Sequence, residues 1–578
     1  MPDIPVIRWN YEPPPATAAA LAQALGLSEL LAGLLARRGI ADAAAAEAFL
    51  RPRLADLGDP FQLDGVEAAA RLLDEALAAN RRIVVFGDYD VDGVTSTALL
   101  VNFLRTFGAQ PRFALPRRLE EGYGLSRAVL ERVFSEGAPE LFICLDSGTS
   151  AVEEVAWLRA RACAVIIVDH HRSKSALPQD CVMINPHIGG APAAPWSQLC
   201  TVGLVFKLLH GFLKLRRAAG DARAFEVKLA EALDLVALGT VADLVPLEGE
   251  NRILARHGLR VLEKCERHGL RALFAVSGLE PGQSLATSDV SYRLGPRINA
   301  SGRLADAALP VELLLGTDPQ ACAKAAATLE SLNRERQGIE RQVQAEAERM
   351  VEATQRDAAA LVVFGEQWHP GVVGIVAGKL SRQYGRPCIV LGREGAQAKG
   401  SGRSVPGINL VEVLQSCAAL LSVWGGHPMA VGVTLETANI AAFHMAFAAA
   451  VQARRENPAM MEAACALELS AWIGPEEIGE ELLTDLDLLH PYGESNAEPV
   501  FGVRRVRLAQ PPEVFKEVNY RCRVPTGRGR GVSAVAWRKA SRLPPAGAEI
   551  DLAAKLQWNN WNGRKYPQLE ILDWRAAE

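Results

Sequence analysis

This sequence of 578 residues has no closely spaced cysteine pairs, no long apolar runs and only a small net charge. The ten cysteines include no CxxC pair. This argues against a cysteine-ligated zinc site and a disulfide scaffold, and favours a reducing cytoplasm. No stretch of about 20 predominantly apolar residues occurs, so we expect no membrane-spanning helix. The N-terminal residues MPDIPVIRWNYEPPP lack a basic segment followed by an apolar one, and we expect no secretory signal.

The overall composition is that of a globular protein. Hydrophobic residues make up 49% and charged residues 22% of the chain, which excludes a disordered or fibrous protein. At about 100–200 residues per domain, the length predicts three or four domains.

The net charge of the chain is −5, but the charged residues are unevenly distributed along it. Residues 501–578 hold 15 lysines and arginines against 7 acids, a net of +8, so the first 500 residues carry −13. This asymmetry is typical of a basic binding module joined to an acidic body. Charge alone leaves a solvated basic face as an equal alternative.

The order of apolar and helical patterns predicts an α/β architecture. The short runs RIVVF (82–86), LFICL (141–145) and AVIIV (164–168) alternate with helical segments and indicate a buried parallel sheet. A long uninterrupted helix follows Asp318-Pro319, and most simply links two lobes. A second α/β unit and then five short strands with Gly/Pro turns follow, and the strands indicate a small barrel.

The segment GDYDVDG, directly after the first strand, carries Asp88, Asp90 and Asp92. In an extended segment these alternate residues share a face, and three close carboxylates repel unless a cation joins them. Oxygen ligands of this kind select Mg²⁺ or Mn²⁺. A calcium loop of the EF-hand type needs a glutamate at its twelfth position, where this chain has Leu99. An acidic solvated turn is the remaining alternative.

Two further strands end in groups of the same kind. LFICL leads into Asp146, and AVIIV leads into Asp169, His170 and His171. Ligands of open α/β sheets bind at the carboxyl ends of the strands, so we expect these groups to meet. A fourth acid, Asp243, follows a helical run in ALGTVADLVPL.

Together, DYDVDG, LDSG, VDHH and GTVADLVPL resemble the four motifs of the DHH phosphoesterase superfamily. Their flanks resemble its bacterial single-stranded-DNA-specific exonucleases. EGYGLS, GPRINASGRLADA, WHPGVVGIVAGKL, SGRS, GGHPMAVG, PYGESNAEPVF and WNNWNGRKYPQLEIL extend the match over essentially the whole chain.

The resemblance implies metal-assisted hydrolysis of phosphodiesters by one or two Mn²⁺ or Mg²⁺ ions. It implies that Asp88 binds or supports a second ion and that His171 contacts the scissile phosphate. The other metal ligands it implies are Asp90, Asp92, Asp146, His170 and Asp243.

The resemblance also assigns residues to the DNA backbone or the terminal 5′-phosphate. An ion pair of Arg118 with Glu120 or Glu121, and a buried His427, are the competing interpretations. The predicted substrate-binding residues are Arg118, Arg303, Ser401, Arg403, Ser404, Gly426, His427 and Trp561. In the basic barrel, we expect about one base-stacking platform among Tyr520, Trp537, Trp558 and Trp561.

These features divide the chain into an N-terminal helical segment (1–75), a DHH catalytic domain (76–317), a connecting helix (318–356), a DHHA1-type domain (357–457) and an OB-like barrel (466–578). The implied function is 5′→3′ degradation of single-stranded DNA to mononucleotides, in cytoplasmic DNA repair and recombination. The protein partners that the resemblance implies are single-stranded-DNA-binding protein and a helicase. The alternatives are a phosphodiesterase for short oligonucleotides or cyclic dinucleotides, and a non-catalytic DNA-binding scaffold.

Overall fold

The computed structural model describes residues 8–117, 121–122, 124–173, 176–189, 191–455, 466–527, 531–561 and 564–577. The chain forms two compact units. The larger one comprises Trp9–Asn299, Ala307–Ala326 and Leu467–Glu578, and the smaller one comprises Arg8 and the described residues of Ala300–Asp306 and Ala327–Ala466. None of the described helices is both long and apolar enough to cross a bilayer.

The larger unit contains a five-stranded parallel sheet with the order β3-β2-β4-β5-β6. Strands β2 and β4 are buried along their whole length, as their unbroken apolar sequences require. The strands are β2 (Ile83–Phe86), β3 (Arg112–Ala114), β4 (Leu141–Leu145), β5 (Ala164–Val168) and β6 (Val182–Ile184).

Helices connect these strands and continue beyond the sheet, because parallel strands need crossover connections. Those up to the last strand are α1 (Thr17–Leu25), α2 (Glu29–Arg37), α3 (Ala43–Leu50), α4 (Val66–Ala78), α5 (Val91–Thr106), α6 (Arg127–Ser135) and α7 (Val152–Arg159). Those that follow are α8 (Thr201–Ala218), α9 (Ala222–Glu226), α10 (Leu233–Ala242), α11 (Gly249–Lys264), α12 (His268–Ser277), α13 (Thr287–Asp289), α14 (Gly295–Leu304) and α15 (Ala308–Leu315).

The larger unit also contains a seven-stranded sheet with the order β13-β14-β18-β19-β17-β16-β15. The sequence predicts five of these strands; the two short strands β13 and β15 carry too few residues for a pattern. The strands are β13 (Ala471–Ile473), β14 (Phe501–Arg507), β15 (Glu513–Phe515), β16 (Asn519–Val524), β17 (Val532–Ala536), β18 (Glu549–Trp561) and β19 (Arg564–Ala576). Helix α20 (Glu480–Asp487) precedes β14, and β1 (Arg8–Tyr11) pairs with β12 (Ala466–Leu469).

The N-terminal helices and the C-terminal strands share one hydrophobic core. Leu21, Leu35 and Leu50 are buried in the same cluster as Phe501 and Leu552. Residues 18–50 therefore do not form a separate domain core, although they lie more than 400 positions from the strands that cover them.

The smaller unit contains a five-stranded mixed sheet with the order β10-β11-β9-β8-β7. Its strands are β7 (Leu361–Gly365), β8 (Cys388–Glu394), β9 (Gln397–Arg403), β10 (Val423–His427) and β11 (Ala430–Glu436). The helices are α16 (Pro319–Thr354), which begins in the larger unit, α17 (Pro370–Tyr384), α18 (Leu410–Ser416) and α19 (Ile440–Arg455).

Helix α16 is the predicted long helix. Its 36 residues span about 54 Å, at about 1.5 Å each. The side chain of Asp318 accepts hydrogen bonds from the backbone N–H groups of Gln320 and Ala321, so it caps the helix as expected. The predicted α/β fold class, with a parallel sheet, a long helix, a second α/β lobe and a C-terminal β domain, is confirmed.

Candidate metal centre and nucleic-acid contacts

Acidic residues follow adjacent strands of the parallel sheet. Phe86 of β2 pairs with Cys144 of β4, and Leu145 of β4 pairs with Val168 of β5. The residues that follow these strands therefore meet at one edge of the sheet, as predicted. Three acids of this edge, Asp88, Asp146 and Asp169, are at most 3% exposed.

The three aspartates of DYDVDG are not on one extended segment, so that part of the sequence prediction is wrong. Asp90 is the N-cap of α5 and accepts a hydrogen bond from the Gly93 amide at 3.1 Å, and Asp92 lies in the first helical turn. A Cβ on Gly93 would lie 2.4 Å from the carbonyl oxygen of Asp88, so only glycine permits this tight entry into the helix. Asp88 and Asp90 consequently belong to one group of possible metal ligands and Asp92 to another.

The structure brings all the predicted metal ligands together in three overlapping groups. Within each group the ligand atoms lie within 4.8 Å of one another. The groups are Asp88, Asp90 and Asp146; Asp92, His170 and Asp243; and Asp146, His170 and His171. Asp243 reaches the cluster from the C-terminal end of α10, where it is the C-cap residue.

His170 lies at the centre of the cluster. Its Nε2 atom is 3.5 Å from Asp146 Oδ1, 3.5 Å from Asp243 Oδ2 and 3.9 Å from Asp92 Oδ2. Among the described residues, neither His170 Nε2 nor Asp243 Oδ2 has a hydrogen-bond partner, although both atoms are buried. Buried polar atoms are normally paired, so this pair fits a ligand that the protein does not itself supply.

The electrostatics of the cluster favour a cation. Burial raises the pKa of Asp92 and Asp146, and nearby carboxylates raise the pKa of Asp146 further. Burial, then the charges of Asp92 and Asp90, raise the pKa of Asp243 to about 9. Burial lowers the pKa of His170, which keeps this imidazole neutral and able to ligate. Without a counter-charge these acids must retain protons; a divalent cation would displace them.

The start of helix α8 holds two of these acids in place. The amides of Thr201 and Val202 donate to the two oxygens of Asp92 at 2.7 and 2.8 Å, and the Thr201 hydroxyl donates to Asp146 Oδ1 at 3.0 Å. Asp146 has a left-handed backbone with φ of 60°, which is costly for a residue with a side chain. Thr201 was not predicted from the sequence, because no local pattern in LCTVG indicates a contact with acids 55 and 109 positions away.

His171 is oriented by Asp169, whose carboxylate lies 2.8 Å from Nδ1. This hydrogen bond raises the pKa of His171 to about 9, so the ring is protonated at neutral pH. Burial raises the pKa of Asp169, but hydrogen bonds from His171 and Thr149 outweigh it and lower the pKa to about 2. Asn185, which no sequence motif indicated, donates to Thr149 Oγ1 and to the His171 carbonyl, both at 2.9 Å. The 59% exposed imidazolium is suited to contact an anion.

In the smaller unit, the sheet brings four predicted substrate-binding residues into neighbouring rows. His427 pairs with Ala430, which pairs with Arg403. Gly426 likewise pairs with Val431, and Val431 with Gly402, while Ser401 pairs with Gly432. Directly opposed residues share a face, so Ser401, Arg403 and His427 lie on the same side of the sheet. His427 is exposed, which excludes the alternative of a buried histidine.

Two glycines keep this face open. A Cβ on Gly425 or Gly432 would meet nothing within 4 Å, so packing does not require glycine at either position. A Cβ on Gly374 of α17 would lie 3.3 Å from both Arg403 Nη2 and Ser401 Oγ. We name the face formed by Ser401, Arg403, Gly425, His427 and Gly432 the glycine face.

Of the four remaining predicted substrate-binding residues, the structure describes the side chains of two. Arg303 donates to the carbonyl of Gly371 at 2.8 Å, and the Ser404 hydroxyl donates to the carbonyl of Ile408 at 2.6 Å. Arg118 and the side chain of Trp561 lie outside the described residues.

The basic barrel offers fewer stacking platforms than its composition suggests. Tyr520 is fully buried and belongs to the core, whereas Trp537 is 50% exposed. The indole N–H of Trp558 donates to Asp487 at 3.0 Å. Part of the positive charge is also paired, since Arg507 lies 3.2 Å from Glu549 and Arg521 lies 2.7 Å from Glu513.

Three family models match the chain in succession. They are the DHH family N-terminal domain at residues 82–240, the DHHA1 domain at 357–453 and the RecJ OB domain at 469–573. The fold and the acidic site thus define a DHH-domain protein.

Comparison with similar proteins identifies the family within this class. The single-stranded-DNA-specific exonuclease RecJ of Dickeya dadantii is 38% identical over 567 residues, which cover 94% of this chain and 96% of that protein. RecJ of Bacillus subtilis is 35% identical and is matched over 99% of this chain and 71% of its own length. The chain belongs to the RecJ family of single-stranded-DNA-specific exonucleases.

Solved structures agree with this assignment. The crystal structure of RecJ from Thermus thermophilus in complex with Mn²⁺ matches 99% of this chain and 80% of its own, with a TM-score of 0.82 and 29% identity. The structure of the same protein with Mg²⁺ matches with a TM-score of 0.76 and 28% identity.

Proposed function

We propose that this chain is a metal-dependent exonuclease that degrades single-stranded DNA in the 5′→3′ direction and releases mononucleotides. The observation that carries the proposal is the cluster of carboxylates around His170, in which the buried atoms His170 Nε2 and Asp243 Oδ2 lie 3.5 Å apart and make no hydrogen bond among the described residues. Membership of a family whose members are named single-stranded-DNA-specific exonucleases supports it.

The ligand set fits Mn²⁺ well and Mg²⁺ adequately, because it combines carboxylate oxygens with one imidazole nitrogen. The residues that would hold one or two ions are Asp88, Asp90, Asp92, Asp146, His170 and Asp243. When bound, such ions supply Lewis-acid stabilisation of the charge that develops on the phosphodiester.

The chain's own residues position the reacting groups. The backbone amides of Thr201 and Val202 hold Asp92, and the Thr201 hydroxyl holds Asp146. Asp169 keeps His171 protonated and oriented, and the imidazolium would contact an oxygen of the scissile phosphate. Asp169 and Thr201 are therefore positioning residues and His171 a catalytic one.

We further propose that the glycine face and the barrel contact the single strand. Arg403 presents a fork of donors that matches phosphate oxygens, and the bare glycines allow a sugar–phosphate backbone to approach closely. Arg118, Arg303, Ser404 and Gly426 complete the proposed phosphate contacts, and Trp561 remains a proposed stacking residue. Action in cytoplasmic DNA repair and recombination, with single-stranded-DNA-binding protein and a helicase as partners, is the corresponding cellular proposal.

The test is incubation of the full chain with 5′- and 3′-labelled single-stranded DNA in Mn²⁺, Mg²⁺ or EDTA, followed by sizing of the products. We expect metal-dependent release of 5′-labelled mononucleotides at the earliest times and progressive shortening of the 3′-labelled strand. Hydrolysis of only dinucleotides or cyclic dinucleotides would instead identify a small-nucleotide phosphodiesterase. Binding without hydrolysis in either metal would identify a scaffold.

A further inference from the structure

Tyr292 is the most exposed large hydrophobic side chain among the described residues, at 80%. It lies in the π-helical turn Val290–Leu294, whose two end residues are fully buried. The turn is therefore anchored on both sides of the exposed ring. π-helical turns occur frequently at functional sites, where the extra residue redirects a side chain.

The turn is close to the acidic cluster. A Cβ on Gly295, three residues after Tyr292, would lie 3.6 Å from Val91 Cγ2 and 3.7 Å from Ala242 Cβ. Val91 stands between two of the acids of α5, and Ala242 directly precedes Asp243. The helical segment that carries Tyr292 thus packs against both acid-bearing helix ends.

A second exposed apolar side chain lies beside the same acids. Leu244 directly follows Asp243, is 64% exposed and has a left-handed backbone with φ of 60°. This conformation favours glycine, so a leucine here carries backbone strain that packing does not repay. Strain of this kind is concentrated at functional sites.

We propose that Tyr292 stacks on a nucleobase of the single strand whose phosphodiester is held at the acidic cluster, with Leu244 as a second apolar contact. The inference rests on the proposed exonuclease function and assigns the base contact next to its metal site. An exposed aromatic ring accepts any base, because every base has a π face. Bases in a duplex are paired and stacked, so this contact also favours an unpaired strand.

The test compares two 5′-phosphorylated oligonucleotides, one normal and one with abasic residues at its three 5′-terminal positions. Tyr292→Ala should lower kcat/KM on the normal strand by about five- to 140-fold, the range found for single base–aromatic stacks, mainly through KM. On the abasic strand, Tyr292→Ala and the wild type should have similar kcat/KM. Tyr292→Phe keeps the π face and should retain most of the wild-type value.

Phe225→Ala is the matched control. Phe225 is 63% exposed, and its ring lies 6.0 Å from the Arg217 guanidinium at the end of α8. Helix α8 holds Asp92 through Thr201, and Arg217 lies 16 positions, or about 24 Å along the helix, after Thr201. Phe225→Ala should leave kcat/KM unchanged on both the normal and the abasic oligonucleotide.

If Tyr292→Ala lowers kcat/KM equally on both oligonucleotides, or on neither, the base-stacking role is overturned.

Leu244→Gly should keep or raise the thermal unfolding midpoint while lowering kcat/KM on the normal strand only. Should the wild type hydrolyse neither strand, the proposed exonuclease function fails. The stacking inference is then decided by fluorescence anisotropy in EDTA: Tyr292→Ala must weaken binding of the normal strand and not of the abasic one.

Discussion

Replacing Asp243 with asparagine should stabilise the metal-free protein and reduce its stabilisation by metal. The carboxyl of Asp243 is buried beside Asp92 and Asp90, and its pKa is raised to about 9 from an ordinary value of 3.8. In the unfolded chain the acid ionises near its ordinary pKa, whereas in the folded metal-free protein it must keep its proton.

The pKa shift sets the sign and the size of the effect. Because the folded-state pKa is raised, the stability of the wild type relative to Asp243→Asn falls as pH rises from about 4 to about 9. The slope is at most about 1.4 kcal/mol per pH unit, so at pH 7 the upper limit is about 4 kcal/mol. The neighbouring acids share the same repulsion. We therefore expect the free energy of unfolding of Asp243→Asn to exceed that of the wild type by about 2–4 kcal/mol at pH 7 without metal.

The assay is urea denaturation in EDTA at pH 5.5 and pH 8, repeated with saturating Mn²⁺. Asp243→Asn should be the more stable protein in EDTA, by a margin that grows with pH. In Mn²⁺ this margin should shrink, because the wild type gains more binding free energy than the variant, which lacks one ligand of the group Asp92, His170 and Asp243.

Asp234→Asn is the control on the same helix. Burial raises the pKa of Asp234 as well, but its carboxylate lies 2.6 Å from Arg267 Nε. Its replacement leaves this guanidinium without its ion-pair partner and should destabilise the protein with or without metal. Equal or lower stability of Asp243→Asn in EDTA at pH 8 would refute the repulsion argument.

Three further predictions concern single residues. Asp146→Ala should lower hydrolysis at least about 100-fold while single-strand binding persists, because the proposed metal ligand is lost and the barrel stays intact. Gly432→Val should change unfolding stability by less than about 1 kcal/mol yet weaken binding about tenfold or more, since it obstructs a charge-assisted contact worth about 1.5–3 kcal/mol. Arg403→Ala should reduce the preference for 5′-phosphorylated over 5′-hydroxyl DNA, and Arg403→Lys should restore it only partly, because lysine lacks the fork.

Each of these has an outcome that counts against it. Near-normal turnover of Asp146→Ala in Mg²⁺ would remove this acid from the site. Unchanged affinity of Gly432→Val, measured by anisotropy, would mean that DNA does not cross the glycine face. If the wild type shows no preference between the two 5′ forms in initial rates, Arg403 has no end-sensing role.

The sequence by itself determined the parallel sheet and the acids at its edge. Runs such as LFICL can only be buried on both faces, and the polar residues that follow must then emerge where the strands end. Asp88, Asp146 and His170 were therefore predictable from strand pattern alone, and the long helix from its cap and its uninterrupted periodicity.

Only the tertiary structure decided how these groups are held and which of them are exposed. Asp92 is in a helix, and its partners Thr201 and Val202 come from 109 and 110 positions later in the chain. Tyr520 is buried in a core that the N-terminal helices complete, whereas Tyr292 is left exposed. Local spacing reports the periodicity of one element, but burial and hydrogen bonding depend on which distant element packs against it, and that is a property of the folded chain.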